Sequence, residues 1–305
     1  MPEPSPNLTC PLAAGLIGVG LVGTALAERL LAAGHSLTGY DVAADRRQAL
    51  AALGGTPVES ARAVAQAGDP VLLSLPDTDA VLAAVTGEDG VLSARPLPST
   101  LIDTTTGDPW AVEGLAAHLA GRGIAYLDAT ISGSSQQVRD GQAVYMVGGP
   151  DGAYAACAPL FDALGGRCFH LGPAGCGTRA KLASNLIMGL NRLALAEGLV
   201  FAEALGLDPA RFLELLVETP AYSRQMDTKG PKMTAGDFAP QARLTQHAKD
   251  VSLILDSAAR LGLYLPASRL HQALLRAAIE AGDGTLDNSA IIRQLQRLQR
   301  EQGGG

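Results

Sequence analysis

The sequence is poor in cysteine, in aromatic side chains and in positive charge. It has four cysteines, none of them in a CxxC spacing, and aromatic residues make up 4% of the chain. Isolated cysteines argue against a zinc site and against a disulfide framework, and they favour a reducing compartment. We therefore expect a cytoplasmic protein without a bound metal. Acidic residues outnumber Lys and Arg by 30 to 23, the formal net charge is −7 and no basic block occurs. Such a balance argues against a nucleic-acid partner, which requires a positive surface.

Long uninterrupted apolar runs are also missing. The longest apolar stretch, near residues 186–207, is interrupted by polar and charged residues, so it predicts a buried helix and not a membrane span. Residues 1–10 read MPEPSPNLTC and lack the basic and apolar regions of a signal peptide. We expect this segment to be a disordered lead-in and the glycines at 303–305 to fray. The 305 residues, 47% of them apolar, suffice for two domains with a large core.

A glycine motif stands near the start of the chain, in residues 15–41, which read GLIGVGLVGTALAERLLAAGHSLTGYD. A short apolar run precedes the glycines, an amphipathic helical pattern follows them, and a second short strand ends at Asp41. In such a βαβ unit Gly18 allows a sharp turn, Gly20 lets the backbone approach a pyrophosphate, and Gly23 lets the helix pack against the sheet. The helix N-terminus suits phosphates and Asp41 suits a ribose diol. The context predicts a dinucleotide site, although the glycines alone would fit a turn without a ligand.

Short β-like runs alternate with helical patterns up to Gly177, and only helical patterns follow. The predicted strands are residues 16–19, 36–40, 71–75, 100–103, 125–128, 143–147 and 168–171. The predicted helices of the second part are residues 178–206, 208–218, 245–262, 268–281 and 288–302. Alternating strands and helices are typical of a doubly wound, mostly parallel sheet. We predict an α/β protein with a Rossmann dinucleotide-binding domain at 12–172 and an all-helical domain at 173–302.

A second group of candidate residues lies at the start of the first long helix. Gly175 and Gly177 precede Lys181, Ser184 and Asn185, and positions three and four apart share a helix face. A lysine near a helix N-terminus and beside a cationic nicotinamide should have a lowered pKa, which suits a general acid/base. Alone, such a lysine is more often a solvated surface residue. The glycines before it, and its place where strands give way to helices, favour the catalytic interpretation.

Further candidates follow the carboxyl ends of predicted strands, where open α/β sheets bind ligands. Ser132, Gly133 and Ser134 offer hydroxyls and backbone N–H groups that suit a carboxylate, although composition alone would fit a turn of small residues. The segments 74–76 and 103–109 end two other strands at the same edge. The pair at 249–250, Lys-Asp, lies on a helix of the second domain, where an ordinary solvated charge pair is the alternative.

Several of these segments together resemble the β-hydroxyacid dehydrogenase family, which includes 3-hydroxyisobutyrate dehydrogenase and tartronate semialdehyde reductase. The resemblance covers residues 12 to about 298. The matching segments read GLIGVGLVG, SLPDT, DTTTGDP, DATISGSS, MVGG, GPAGCGTRAKLASN, HAKD and GDGTLDNSA. Because they are independent and in the correct order, they are far more specific than one glycine pattern.

The resemblance assigns roles to individual residues. It implies that Lys181 is the catalytic lysine, with Asn185 as the polar active-site residue beside it. It implies that Ser132 and Gly133 form the substrate-carboxylate loop, and we expect Ser134 and Ser184 to bind the substrate with them. The cofactor residues are Gly18, Gly20, Leu21, Val22, Gly23, Asp41, Leu75, Pro76, Thr106 and Lys249.

Three departures from the family pattern leave the substrate open. Ser134 replaces a second glycine, Ser184 stands where many members have Asn or His, and Ala242 replaces an aromatic residue, which enlarges the expected pocket. The extra hydroxyls of Ser134 and Ser135, followed by Gln136 and Gln137, favour a polyhydroxylated acid. Among the histidines, we expect His35 to be structural. His118 and His271 are expected on exposed helix surfaces, and we predict no catalytic role for any histidine.

The sequence therefore predicts an enzyme that interconverts a short β-hydroxy acid and its aldehyde or keto acid by hydride transfer, with NAD preferred to NADP. The substrate would be a small anionic hydroxy acid or semialdehyde. The resemblance also implies a homodimer or homotetramer. Two alternatives are an imine reductase on the same fold, which the presence of Lys181 argues against, and a non-catalytic dinucleotide-binding interaction protein.

Overall fold

The structure is a computed structural model that describes residues 11–303, with side chains to residue 301. The expectations for residues 1–10, Cys10 included, and for the last two glycines lie outside the described residues, whereas Gly303 ends the final helix. The chain divides into two compact units, one ending at Lys181 and the other beginning at Leu182. The sequence prediction had put the boundary between residues 172 and 173, before the helix in which this division falls.

The first unit is built on one eight-stranded sheet with the order β3-β2-β1-β4-β5-β6-β7-β8. Its strands are β1 Ala13–Ile17, β2 Ser36–Tyr40, β3 Thr56–Pro57, β4 Val71–Leu73, β5 Thr100–Asp103, β6 Ala125–Ser132, β7 Val144–Gly148 and β8 Arg167–His170. All neighbours pair in parallel except β6 and β7, which are antiparallel. The chain reverses its direction of winding between β1 and β4, and ligands of open α/β sheets bind at such a switch point.

The helices of the first unit connect these strands. They are α1 Leu21–Ala32, α2 Ala44–Ala52, α3 Ala61–Ala67, α4 Thr78–Thr86, α5 Pro109–Ala120, α6 Ser135–Arg139, α7 Asp151–Ala156 and α8 Ala158–Leu164, with a 3₁₀ turn at Val91–Ser93. Apolar side chains cover both faces of the sheet, because successive strand residues point to opposite sides. Leu16 belongs to the apolar cluster on one face and Ile17 to the cluster on the other. The predicted doubly wound α/β class is confirmed.

The strand predictions differ from the structure mainly at their ends. β1 ends at Ile17, two residues before the predicted end, and the sharp turn expected at Gly18 is present there with a φ of +94°. The prediction missed β3, whose two residues are both exposed and carry no apolar pattern. It also ended β6 too early, since this strand continues to Ser132 through its antiparallel pairing with β7.

The second unit is helical in the part of the chain that the structure describes. Its helices are α9 Cys176–Ala204, which begins in the first unit, α10 Pro209–Val217, α11 Arg224–Thr228, α12 Gly230–Ala235, α13 Leu244–Arg260, α14 Pro266–Ala278 and α15 Ile291–Gly303, with a π turn at Ile279–Asp283 and a 3₁₀ turn at Asn288–Ala290. The prediction missed α11 and α12, which have five and six residues and are too short for a periodic pattern. Their junction at Gly230 lies against Leu213, where a Cβ would come within 2.6 Å of the leucine side chain.

Helix α9 is the one described helix that is long and apolar enough to cross a membrane. One such helix is weak evidence, because the core helix of a soluble protein passes the same test, and half of its most apolar window is buried. Its Arg192 is 2% exposed and donates a hydrogen bond from Nε to Oε1 of Gln225 at 3.1 Å. These observations fit the predicted buried helix.

Two histidines of the second unit are buried. The expectation that His271 lies on an exposed helix surface is wrong, because its side chain is 2% exposed and packs 5.2 Å, centroid to centroid, from the ring of His247. Both rings lie close to Gly189, where a Cβ would come within 2.9 Å of each. Burial, and then the charge of Arg192, lower the pKa of His271 to about 4. The structure therefore gives His271 a packing role as a neutral ring.

Candidate active site

The glycine loop between β1 and α1 has the geometry that a dinucleotide pyrophosphate requires. Gly18 has a positive φ, and a Cβ there would overlap the carbonyl of Ser74. A Cβ at Gly23 would overlap the carbonyl of Gly18, so this glycine allows α1 to pack close to the strand. A Cβ added to Gly20 would have a guanidinium nitrogen of Arg46 as its nearest neighbour, at 3.7 Å, so the space beside this glycine is open.

The start of α1 has donors for an anion. Its N-cap is Gly20, which has no side chain to accept from the first N–H groups of the helix. The first intrahelical hydrogen bond is from Thr24 N–H to the Gly20 carbonyl. The N–H groups of Leu21, Val22 and Gly23 therefore precede the first intrahelical donor. Phosphate oxygens are the ligands that such a terminus prefers. The loop fits the pyrophosphate of a nicotinamide dinucleotide.

Asp41 directly follows β2 and lies beside this loop, as the sequence predicts. Its Oδ2 accepts a hydrogen bond from Val19 N–H at 2.8 Å, and its Oδ1 accepts one from Ala43 N–H at 2.9 Å. The carboxylate thus fixes the glycine loop, a role that the motif alone does not reveal. Each carboxylate oxygen has a second lone pair that can accept from a ribose hydroxyl.

Two arginines at the start of α2 lie near Asp41. Arg47 donates a hydrogen bond to the carbonyl of Asp41 at 2.7 Å and forms an ion pair with Glu59 at 3.0 Å. Arg46 is exposed and donates to the carbonyl of Val19 at 3.0 Å. Arg46 is consequently the cation closest to the glycine loop.

The ends of β4 and β5 lie at the same edge of the sheet. The N–H of Leu75 donates to Oγ1 of Thr105 at 3.1 Å, and Thr104 donates from both N–H and hydroxyl to the carbonyl of Leu73. Pro76 is exposed and Thr106 is half-buried, each directly after these contacts. The structure therefore brings together the predicted cofactor residues Leu75, Pro76 and Thr106 on two linked strand ends.

The segment after β6 contains the predicted substrate loop. Ser132 ends the strand, Gly133 has a φ of +152°, and Ser134 is the N-cap of α6. Ser134 and Gln137 form a capping box, in which Ser134 Oγ accepts from Gln137 N–H at 3.2 Å and Gln137 Oε1 accepts from Ser134 N–H at 2.8 Å. The N–H donor expected at Ser134 is thus used within the loop, whereas its hydroxyl hydrogen is left for another acceptor.

A buried carboxylate anchors the start of α9. Asp128 is 1% exposed and accepts hydrogen bonds from Gly175 N–H at 2.8 Å, from Thr178 N–H at 2.7 Å and from the Thr178 hydroxyl at 3.0 Å. A Cβ at Gly177 would overlap the carbonyl oxygens of Asp128 and Met146, which explains the glycine there. Burial raises the pKa of Asp128, and the donors from Thr178 and Gly175 oppose that rise.

Lys181 follows this anchor by one turn. Its side chain is 7% exposed, so it is not the solvated surface lysine of the alternative interpretation. The helix start that carries it is also tied to α5 by an ion pair between Arg179 and Glu113. The first unit therefore holds a buried lysine on a helix whose N-terminus is fixed to the sheet.

The second unit contributes a separate polar cluster. Asn185 on α9 is 2% exposed and donates from Nδ2 to Oδ2 of Asp250 on α13 at 2.9 Å. Lys249 Nζ lies 3.6 Å from Oδ1 of Asp250. Ser184 is half-buried on α9. The pair at 249–250 is thus linked to Asn185 and is not an isolated surface pair.

Sequence reasoning missed the partners that hold these residues. Asp128, Asp103 and Asp250 are buried acids, and each has a hydrogen-bond partner at least 23 residues away in the chain. Their only sequence signal is a polar residue at a strand end or a helix turn. No group of three or more His, Cys, Asp or Glu side chains among residues 11–303 has the geometry of a metal site.

Comparisons with known proteins agree with this geometry. A family model described as the NAD-binding domain of 6-phosphogluconate dehydrogenase matches residues 13–172. Another, described as the NAD-binding part of NADP-dependent 3-hydroxyisobutyrate dehydrogenase, matches residues 175–295. A protein from Escherichia coli strain K12 named 2-hydroxy-3-oxopropionate reductase is 35% identical over 286 residues, covering 93% of this chain and 97% of that protein.

Solved structures give the same result. The structure of 3-hydroxyisobutyrate dehydrogenase from Mycobacterium tuberculosis with L-serine has a TM-score of 0.85 at 27% identity, covering 94% of this chain and 99% of that chain. An imine reductase from Pseudomonas sp. has a TM-score of 0.61 at 22% identity, covering 94% and 100%, which is a likeness of fold alone. The chain belongs to the β-hydroxyacid dehydrogenase family of the 3-hydroxyisobutyrate dehydrogenase type, a family of NAD(P)-dependent oxidoreductases.

Proposed function

We propose that this protein interconverts a short β-hydroxy acid and the corresponding aldehyde or keto acid, with NAD as the preferred cofactor and Lys181 as the general acid/base. The observation that carries the proposal is the burial of Lys181 on a helix start that Asp128 fixes to the dinucleotide-binding sheet. A buried lysine changes its protonation state more readily than a solvated one. Lys181 therefore has the buried environment in which lysines serve as general acid/base groups.

Each residue has a defined task in this proposal. In oxidation, the neutral amine of Lys181 accepts the proton of the substrate hydroxyl, and in reduction the ammonium donates a proton to the carbonyl oxygen. The nicotinamide ring, when bound, takes up or supplies the hydride. Asn185 orients the substrate, and its bond to Asp250 fixes the amide so that Oδ1 acts as an acceptor.

The substrate class follows from the loop after β6 and from the relatives. Ser132 and Gly133 are suited to hold a carboxylate, and the hydroxyl hydrogen of Ser134 supplies one further donor. Among the relatives, the E. coli protein is named for a hydroxy oxo acid, and one from Cupriavidus necator, 29% identical, is named L-threonate dehydrogenase. These names and the extra hydroxyl support a small anionic acid that bears a second hydroxyl group.

The experiment that tests the proposal measures NAD reduction and NADH oxidation with a panel of β-hydroxy acids, semialdehydes and imines. We expect turnover with the acids and semialdehydes. Lys181→Ala should lower kcat by about two to four orders of magnitude, because a general acid/base typically contributes that much. Cofactor affinity, followed by NADH fluorescence, should change little.

Two further variants sharpen this test. Lys181→Arg keeps the positive charge but cannot be deprotonated, so it should be as inactive as Lys181→Ala. Lys232→Ala is the matched control, because Lys232 pairs with Asp237 in the second unit and has no assigned role. Recovery of activity in Lys181→Arg would show that only the charge matters. Turnover of imines and not of hydroxy acids would replace the proposal with the imine reductase alternative, and turnover of neither with the non-catalytic one.

We also propose a homodimer or homotetramer. The second unit exposes large apolar side chains, of which Phe201, Leu205, Leu261 and Tyr264 are each more than 60% exposed. Apolar side chains grouped on a surface are typical of protein–protein contacts. Light scattering on the eluting protein should give two or four times the chain mass of 31.2 kDa, and a monomer would contradict this proposal.

A further inference from the structure

A buried chain of hydrogen bonds joins the segment after β4 and the end of β5 to the start of β6 in the first unit. Its centre is Asp103, the last residue of β5, which is 2% exposed. Tyr126 on β6, also 2% exposed, donates its hydroxyl to Asp103 Oδ2 at 2.5 Å, and Thr105 N–H donates to Oδ1 at 2.9 Å. The hydroxyl oxygen of Thr105 in turn accepts from Leu75 N–H at 3.1 Å.

Burial of the Asp103 carboxylate costs desolvation free energy, which suggests that the residue has a function beyond packing. Burying a carboxylate is unfavourable unless hydrogen bonds compensate, and an apolar pair of similar volume often packs as well or better. Tyr126 is otherwise part of the apolar cluster on this face of the sheet, together with Leu101 and Leu115. Packing alone therefore does not account for the carboxylate at position 103.

The bonds fix the spacing of two loops. The Asp103 carboxylate accepts a hydrogen bond from Thr105 N–H, and the Thr105 hydroxyl oxygen accepts one from Leu75 N–H. A second hydrogen bond joins the loop after β5 to the start of α4, because Asp108 N–H donates to Oγ1 of Thr78 at 2.9 Å. The two loops carry the residues assigned to the cofactor at 75–76 and at Thr106.

We propose that Asp103 and Tyr126 are positioning residues for the cofactor: the carboxylate, held by the Tyr126 hydroxyl, fixes the turn at Thr105 and through it the backbone of Leu75. The two strand ends then form a preorganised edge for the nicotinamide half of the dinucleotide. This inference rests on the proposed function. Neither residue touches the reacting atoms, so each acts on cofactor affinity and not on proton transfer.

The protonation state of Asp103 governs this role. Burial raises the pKa of Asp103 to about 6, the hydrogen bonds from Tyr126 and Thr105 oppose the rise, and the charge of Asp128, its register partner on β6, adds to it. Tyr126 and Asp128 are the titratable groups that act on it, and the pKa of Tyr126 is raised by burial and then by Asp103, so it stays protonated. The ionised carboxylate accepts from both donors, whereas the neutral acid must itself donate one hydrogen. The turn should therefore be held above about pH 6 and loosened below it.

The experiment compares isosteric variants. Tyr126→Phe removes a donor to Asp103, whereas Thr105→Val removes the hydroxyl that accepts from Leu75 N–H and also donates to Asp103. Tyr145→Phe is the matched control, because Tyr145 is fully buried in the same sheet and its hydroxyl has no hydrogen-bond partner among the described residues. We expect the KM and Kd for NAD to rise about tenfold in Tyr126→Phe, the loss of one hydrogen bond, and at least as much in Thr105→Val, while kcat falls less than about threefold in both. Thr105→Ser keeps the hydroxyl and should restore wild-type affinity.

The pH dependence separates this role from a merely structural one. In the wild type the Kd for NAD should rise as pH falls through about 6. The inflection should be absent in Asp103→Asn, at a higher pH in Tyr126→Phe, since that variant loses a donor to the charged form, and unmoved in Tyr145→Phe. Unchanged affinity in Thr105→Val, or an inflection that persists in Asp103→Asn, would overturn the inference. A wild type that binds neither NAD nor NADP would overturn the proposed function with it. Thr105→Val carries the test if Tyr126→Phe does not fold.

Discussion

At the scale of single residues, cofactor choice depends on the side chains around the adenosine ribose. Asp41 lies directly after β2, where the dinucleotide motif has its ribose-binding acid, and a carboxylate there would repel a 2′-phosphate. Arg47 is already bound to Glu59 and to the carbonyl of Asp41, so Arg46 is the cation that opposes Asp41. Because the Asp41 carboxylate is held in place by two backbone N–H groups and the exposed Arg46 donates to the carbonyl of Val19, we predict a preference for NAD.

The measurement is kcat/KM for NAD and for NADP. The wild type should favour NAD by about tenfold or more, a difference of about 1.4 kcal/mol. Arg46→Ala should increase this preference, and Asp41→Asn should decrease it. Arg47→Ala serves as the comparison, since it removes a cation that already has partners. A wild type that favours NADP would show that Arg46 dominates over Asp41.

The substrate loop allows a second prediction at this scale. Ser132→Ala should raise KM for a hydroxy acid more than for its methyl ester, because a hydrogen bond to a charged group is about twice as strong as one to a neutral group. The wild type should bind the ester far less well than the acid. Ser36→Ala, at an exposed position on β2, is the control. Equal kinetics for acid and ester in the wild type would contradict an anion site in this loop.

At the scale of elements, the start of α9 determines where Lys181 lies. Asp128 uses both carboxylate oxygens to hold Gly175 and Thr178, whereas an amide offers only one acceptor. Asp128→Asn should therefore leave one N–H unsatisfied, at a cost of about 1–3 kcal/mol in the free energy of unfolding. It should also lower kcat by about tenfold or more, because a small displacement of a catalytic group has a large effect on rate.

Ser60→Ala distinguishes these two effects. Ser60 caps α3 with a hydrogen bond from Ala63 N–H at 3.1 Å, and it has no assigned role in the site. Losing this cap should cost about 1 kcal/mol of stability and leave kcat unchanged. Denaturant unfolding and steady-state kinetics on both variants provide the test. If Asp128→Asn loses stability but keeps full kcat, the anchor does not position Lys181.

Elements also show how far the sequence predicts this protein. The βαβ unit at 15–41 and the long helices were predictable, because glycine turns and helical periodicity are local signals. The antiparallel pairing of β6 with β7 was not, since periodicity does not give strand direction. The candidate site residues were proposed from local motifs in the same way, but their contacts were not. Asp128 is hydrogen-bonded to Thr178, 50 residues away in the chain, and Asn185 to Asp250, 65 residues away. Such contacts depend on the tertiary fold.

At the scale of the whole molecule, a buried ion pair between Lys229 and Asp287 connects several segments of the second unit. Asp287 is fully buried and accepts hydrogen bonds from Lys229 Nζ at 2.8 and 3.0 Å. It also accepts from the N–H groups of Gln241, Ala242 and Ser289, so it holds the segment that leads into α13. A carboxylate with this many donors connects three stretches of chain that are distant in sequence. Global stability should therefore depend on it.

The last prediction concerns acid unfolding. Burial alone would raise the pKa of Asp287, but the hydrogen bonds and charge of Lys229, with the N–H groups of Gln241 and Ser289, lower it to about 2. A carboxyl whose folded pKa is lowered stabilises the fold above its unfolded pKa of about 4, and this contribution is lost as pH falls toward 2.

Asp287→Asn should therefore cost about 3–5 kcal/mol of the free energy of unfolding at pH 7, the usual effect of breaking a buried pair. The difference from wild type should shrink between about pH 4 and pH 2, and Asp256→Asn, at an exposed position on α13, should show neither effect. Urea unfolding at several pH values measures both. A gap between wild type and Asp287→Asn that stays constant down to pH 2 would mean that the ionised carboxylate is not what holds the second unit together.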